Sequence, residues 1–184
     1  GGGGAAARVL HMGCGISEVG VVLQREHGLD VVNSDFSEGA LRQMSSKFPG
    51  HRFVQSDVRN MSSFPDAGFE LIVDKGLFDC ITAGSQDRAA AAREVLDEAA
   101  RVLAAGGVYL IFSAFQDDGQ GHKDMAGLLS HPAFAPRERR DIDQCPFEYP
   151  DQDCSYLYVL TRGSRGGEAE TAVGAAAAAV GAVA

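Results

Sequence analysis

The chain has 184 residues, 45% of them hydrophobic, and a formal net charge of −9. That is enough for one globular domain with its own core and too apolar for a disordered chain. The acidic balance, with no Lys/Arg-rich block, argues against nucleic acid as a partner, because nucleic-acid binders carry a basic footprint. It is compatible with a cationic partner such as a lysine-bearing protein surface. No run reaches the ~18 apolar residues of a membrane span, so no membrane partner is expected. Cys14, Cys80, Cys145 and Cys154 form no C-x-x-C pair and read as free thiols in a reducing compartment. A cytoplasmic location follows, with an organelle left open because the chain begins at Gly1 without a signal-peptide pattern.

Residues 1–7 are Gly and Ala and are expected to be loose. The first strand spans about 8–12 and runs into Gly13-Cys14-Gly15. A helix over about 18–27 shows Val19, Val22 and Leu23 on one face, and Gly28 closes it. The second strand is Asp30 to Asn33, followed by Ser34-Asp35. Ser37 is placed to cap a helix carrying Leu41 and Met44, which Pro49-Gly50 ends. Arg52 to Gln55 is the third strand, and Pro65 to Gly68 a turn. Phe69 to Val73 is apolar enough for a central parallel strand. A short helix at 77–81 precedes a long one from Asp87 to Ala104, which Gly106-Gly107 ends. Val108 to Ser113 is the fifth strand. A polar loop at 116–121, a helix from Lys123 to Leu129, a sixth strand from Phe134 to Ile142 and a seventh from Tyr156 to Thr161 follow. Residues 163–184 read as a Gly/Ala-rich tail, which leaves one domain over 8–162.

Alternation of strand and helix over 8–115 implies a doubly wound α/β sheet with right-handed crossovers. The closing pair of strands makes it a seven-stranded, mostly parallel, Rossmann-like sheet with an antiparallel edge. Strand, glycine turn and helix start form a nucleotide-sized crevice at the carboxyl end of the first strand. Asp35, Asp57 and Asp74 stand at or just past the ends of strands two, three and four, on that same edge. A carboxylate after strand two can accept from both hydroxyls of a ribose. A dinucleotide site wants a third glycine where Glu18 stands, and a glutamate there would repel a pyrophosphate. No Gly-Lys-Ser/Thr follows, so a P-loop is excluded. S-adenosylmethionine carries adenine, ribose and an amino acid, no phosphate, and a positive sulfonium that an acidic rim tolerates.

Val9 to Gly15 resembles the first motif of the class I S-adenosylmethionine-dependent methyltransferases, and Asp35-Phe36-Ser37, Asp57-Val58 and Leu103 to Gly107 resemble later ones. Val73-Asp74-Lys75-Gly76-Leu77-Phe78-Asp79 resembles the Asp-Lys-Gly signature of a eukaryotic methyltransferase-like group that methylates lysines of elongation factor 1-alpha or citrate synthase. Tyr156 to Val159 resembles that group's last strand. The resemblance implies that Gly13, Cys14 and Gly15 pass beside the methionine part of the cofactor. Asp35, with Phe36 and Ser37, would take the ribose side, and Asp57 with Val58 the adenine. Asp74 and Lys75 would line the floor near the methyl group, and no metal would take part. It also implies transfer to a lysine of a protein partner such as a translation elongation factor.

His11 stands where many class I enzymes carry an acid, and reads as a core or edge residue. Group members have a helical segment before the first strand, so low activity is expected of the chain as it stands. Cys14 reads as a small filler, Lys75 as a possible i,i+4 partner of Asp79, Phe78 and Phe112 as core, and Asp117-Asp118 as a solvated loop. A small-molecule methyltransferase and a non-catalytic cofactor-binding module remain the alternatives.

Overall fold

The computed structural model describes residues 6–115, 125–135, 138–141 and 156–163. Its strands are β1 (Arg8–Met12), β2 (Asp30–Asp35), β3 (Arg52–Gln55), β4 (Phe69–Lys75), β5 (Leu103–Ser113), β6 (Glu138–Asp141) and β7 (Tyr156–Thr161). Its helices are α1 (Val19–His27), α2 (Glu38–Lys47), α3 (Leu77–Gly84), α4 (Arg88–Val102) and α5 (Met125–Leu128). They build one seven-stranded sheet of order β3-β2-β1-β4-β5-β7-β6. The order reverses between β1 and β4, which is where a doubly wound sheet opens its crevice. β1 to β5 are parallel, and β7 is antiparallel to both β5 and β6. The reversed strand is therefore β7, one in from the edge, and β6 at the edge runs with the parallel set.

Side-chain alternation divides the core between the two faces. Val9, Leu71, Val73 and Leu110 pack with Val19 and Leu23 of α1 on one face. Leu10, Met12, Ile72 and Ile111 pack with Val95, Leu96 and Ala99 of α4 on the other. Each Val, Leu, Ile or Met side chain taken fully from water in this way stabilises by ~1.5–3 kcal/mol. On α1 the buried position is Val21 rather than Val22, because Val21 also meets Met44 and Phe48 at the α2 end.

The helix ends obey local chemistry. The Ser37 hydroxyl accepts from Ala40 N–H at 3.3 Å and the Asp87 carboxylate from Ala90 N–H at 3.0 Å, each capping a helix start. α4 stops at Val102, earlier than Gly106-Gly107 suggests. Leu103 is already extended and pairs with Phe69, and the next pair in register is Leu71 with Val108. The residues between form a bulge opposite Glu70, with Gly106 at φ 75°. A Cβ on Gly107 would come within 2.9 Å of the Ala104 carbonyl. The glycine pair thus serves a strand irregularity, not a helix end. β6 begins at Glu138, while Phe134 makes an isolated bridge to Arg162. Asp117-Asp118, Lys123, Ile142, Cys145, Cys154 and the tail from 164 lie outside the described residues.

Candidate active site

Parallel pairing brings the carboxyl ends of β1 to β4 to one edge, and with them the glycine turn and the three acids. Gly13 and Gly15 are both left-handed, at φ 64° and 50°, a conformation an L side chain resists. The turn aims Cys14 N–H at the Ser34 carbonyl, 2.8 Å, and Gly15 N–H at Asp35 Oδ2, 2.7 Å. Asp35 Oδ1 accepts from Ser37 N–H at 2.8 Å. One buried carboxylate thus ties two loops together. It still has acceptor capacity, since a carboxylate offers about four lone-pair sites.

Beside it opens a cavity of about 640 Å³. Gly13, Asp35 and the 74% exposed ring of Phe36 form its β1–β2 side. Ser56, Asp57, Val58 and Arg59 follow β3 onto the next wall. α3 contributes Leu77, Cys80 and Ile81 at helical spacing, and Asp87 and Glu94 stand at the α4 end. Asp57 accepts from Arg59 at N (3.0 Å), Nε (3.1 Å) and Nη2 (2.8 Å), and those bonds hold its carboxyl below the ordinary range. Among the described residues of the wall, Arg59 is the one cation against Asp35, Asp57, Asp87 and Glu94. A phosphate has no welcome there, whereas a neutral nucleoside or a cation does.

Several anticipated residues stand behind the wall. The Cys14 thiol is buried, and burial pushes it up to about 12, too high for a nucleophile. Ser37 uses its N–H on Asp35 and its hydroxyl as the helix cap. Asp74 and Lys75 are not among the described residues lining the cavity. Asp74 is fully buried: Oδ1 accepts from Leu77 N–H (2.7 Å), and Oδ2 from Phe78 N–H (3.0 Å) and the Tyr109 hydroxyl (2.8 Å). Burial raises it to about 7, with these donors opposing the rise. Its geometry is that of a clamp on the start of α3. Asp79 clamps the same helix further on, accepting from Ser113 Oγ (2.7 Å) and Ala114 N–H (2.9 Å). Both carboxylates therefore fix α3 to β5, and α3 carries one wall of the cavity.

His11 is a core residue. Asn33 Nδ2 donates to the Arg52 carbonyl at 3.1 Å, which turns Asn33 Oδ1 toward His11, and His11 Nδ1–H donates to it at 2.9 Å. Gly20 lies directly over this pair: a Cβ there would be 1.9 Å from Asn33 Oδ1. Gly20 therefore serves close helix–sheet packing rather than the ligand. The clamp through Asp79, Tyr109 and Ser113, and the wall positions Ser56 and Arg59, were not singled out from the sequence. Only the Leu77/Cys80/Ile81 stripe carried a periodic signal that could have found its part of the wall.

A methyltransferase domain model matches residues 9–107. An "eEF1A lysine and N-terminal methyltransferase" of Mus musculus is 36% identical over 168 residues, covering 84% of this chain and 23% of that protein. A mitochondrial citrate synthase-lysine N-methyltransferase of Homo sapiens is 33% identical over 124 residues, 58% of this chain and 50% of that one. The chain thus spans half or less of these two relatives. Among solved structures, an S-adenosylmethionine-dependent methyltransferase from Methanosarcina mazei superposes with a TM-score of 0.64 at 14% identity, covering 88% of this chain and 95% of that one. One from Archaeoglobus fulgidus also gives 0.64, at 15% identity, covering 86% and 87%. The fold is the Rossmann-like fold of class I methyltransferases. The chain belongs to the methyltransferase domain family.

Proposed function

We propose that this cavity binds S-adenosyl-L-methionine and that the chain transfers a methyl group to a lysine side chain of a protein. The observation that carries the reading is Asp35, a buried carboxylate gripped by N–H groups of both loops and presented to the cavity with acceptor capacity for a ribose diol. Gly13 and Gly15, with the Cys14 backbone between them, would border the amino-acid end. Asp57 and Val58 would take the adenine, and Phe36, Leu77 and Ile81 offer apolar surface to its ring. The cofactor supplies a methyl group activated on a positively charged sulfur.

The chain's own contribution is then positioning and exclusion of water. Asp74, which the sequence placed beside the methyl group, acts in this reading as a positioning residue that holds α3 from beneath. An attacking lysine, with an ordinary pKa near ~10.4, must lose its proton first. The acids Asp87 and Glu94 suit an approaching ammonium, and no dedicated base is assigned. Lysine is favoured because both relatives named above carry it in their names. An elongation factor is the partner class to test first. A cytoplasmic location belongs to the same proposal, with the mitochondrial relative as the contrast that cell fractionation separates. Among the described residues no helix is long and apolar enough to cross a membrane.

Incubation with tritiated S-adenosylmethionine and a cell lysate tests the reading. Label in a protein band that acid hydrolysis returns as methyllysine supports lysine transfer. Label only in small molecules makes the chain a small-molecule methyltransferase, and cofactor binding without any transfer makes it a binding module.

A further inference from the structure

We propose that Ser56 reads the purine: its hydroxyl donates a hydrogen bond to a ring nitrogen of adenine bound in the cavity. This rests on the cofactor reading above and adds to it a residue that sets ligand specificity.

Ser56 is the first residue after β3. Its N–H donates to the Asp35 carbonyl at 3.0 Å, one step beyond the last β2–β3 pair, so its backbone is fixed relative to the ribose-side acid. The residue is 7% exposed and stands on the cavity wall next to Asp57 and Val58. Its Oγ is buried without a hydrogen-bond partner among the described residues. A buried hydroxyl left unpaired is costly, and native interiors rarely keep one without a reason. Of the described side chains with such an atom, Ser56 alone lines the cavity.

The neighbouring groups decide what this hydroxyl can do. The edge of adenine carries an exocyclic amino donor and ring-nitrogen acceptors. Asp57 accepts only, so it can serve the amino group but no ring nitrogen. The Arg59 fork is already turned onto Asp57 at 3.1 and 2.8 Å. The Ser85 hydroxyl on the same wall donates to the Asp87 carbonyl at 2.9 Å, which leaves Ser56 as the described wall hydroxyl with no partner of its own. The Oγ is closed to solvent in the ligand-free structure, so rotation about Cα–Cβ has to carry the hydroxyl to the ring, which leaves the backbone in place.

The test is calorimetric titration of the chain and of Ser56→Ala with S-adenosylhomocysteine and with its 1-deaza, 3-deaza and 7-deaza analogues. Each analogue replaces one ring nitrogen with a C–H. The unaltered chain should bind one analogue about three- to tenfold more weakly than the parent, the loss of one neutral hydrogen bond. Ser56→Ala should bind the parent weaker by the same factor and no longer discriminate against that analogue. The ligand-free variant should melt no lower than the unaltered chain, because the deleted hydroxyl had no partner. Equal affinity of both proteins for S-adenosylhomocysteine, or retained discrimination by Ser56→Ala, overturns the assignment while leaving the cofactor reading in place. A lower ligand-free melting temperature would make Ser56 a structural residue instead. Absence of binding by the unaltered chain overturns the cofactor reading itself.

Discussion

Replacing Asp74 separates a residue that holds a wall from one that touches the reacting groups. Asp74→Ala leaves three donors without this acceptor: the half-buried N–H of Leu77, the buried N–H of Phe78 and the buried hydroxyl of Tyr109. Each lost bond is worth ~0.5–1.5 kcal/mol net, and a stranded buried donor adds to that, so the loss is on the order of 4 kcal/mol. That is a large fraction of the ~5–15 kcal/mol that holds a domain together. Asp74→Asn keeps one oxygen for Leu77 N–H, and its amide can donate to the Tyr109 hydroxyl. Phe78 N–H and the Tyr109 hydroxyl proton then lose their shared acceptor, at a cost of about 2–3 kcal/mol, less than in the Ala variant. Urea unfolding followed by circular dichroism should rank the unaltered chain, Asn and Ala in that order, and cofactor affinity should fall in the same order as α3 loosens. If Asp74→Asn unfolds at the same urea concentration as the unaltered chain yet loses methyl transfer, the clamp is the wrong role.

Three further outcomes follow from the geometry. Asp35→Ala should weaken S-adenosylhomocysteine binding by ~10²-fold, from two charge-assisted bonds, whereas Asp66→Ala, whose carboxylate faces Arg101 at 2.7 Å, should not change it; equal losses would mean that the ribose contact is misplaced. His11 is held down at about 4, first by burial and then by the Lys75 charge, against 6.5 in an unfolded chain, despite the opposing Asn33 bond. The unfolded state therefore binds more protons between those pH values, and the contribution is full above pH 6.5 and lost as pH falls toward 4. The loss is on the order of 3 kcal/mol, and His11→Gln should flatten the dependence of the urea midpoint on pH across that window; an unchanged slope would show that His11 is not buried neutral. Gly20→Ala drives a Cβ into the His11–Asn33 pair and should cost ~1–3 kcal/mol in thermal unfolding, so an unchanged melting temperature would contradict the close packing of α1 on the sheet.

Residues that follow local rules were legible in advance. A continuous apolar run located β4 and period-3.6 spacing located α4, Ser37 caps its helix as its hydroxyl suggested, and Val9, Leu71, Ile72, Val73, Val102, Leu110 and Ile111 are buried. The collection of Asp35 and Asp57 at one edge follows from parallel pairing, which alternation announces. What the sequence hid depends on contacts far apart in the chain. Asp74 meets Tyr109 and Asp79 meets Ser113 only because β4 and β5 are neighbours, so neither carboxylate could be read as a clamp on α3 from its own surroundings. Gly106-Gly107 looked like a helix stop because the bulge they serve exists only against Glu70 of another strand. The hairpin was expected at the edge, but nothing local states that β7 inserts between β5 and β6.

The most direct test is calorimetric titration of the chain with S-adenosylmethionine, S-adenosylhomocysteine and NAD. The account predicts one site that takes the first two and ignores the third, since Asp35 can grip a ribose while the described wall residues set four acids against a single arginine. Binding of NAD with none of S-adenosylmethionine would contradict it.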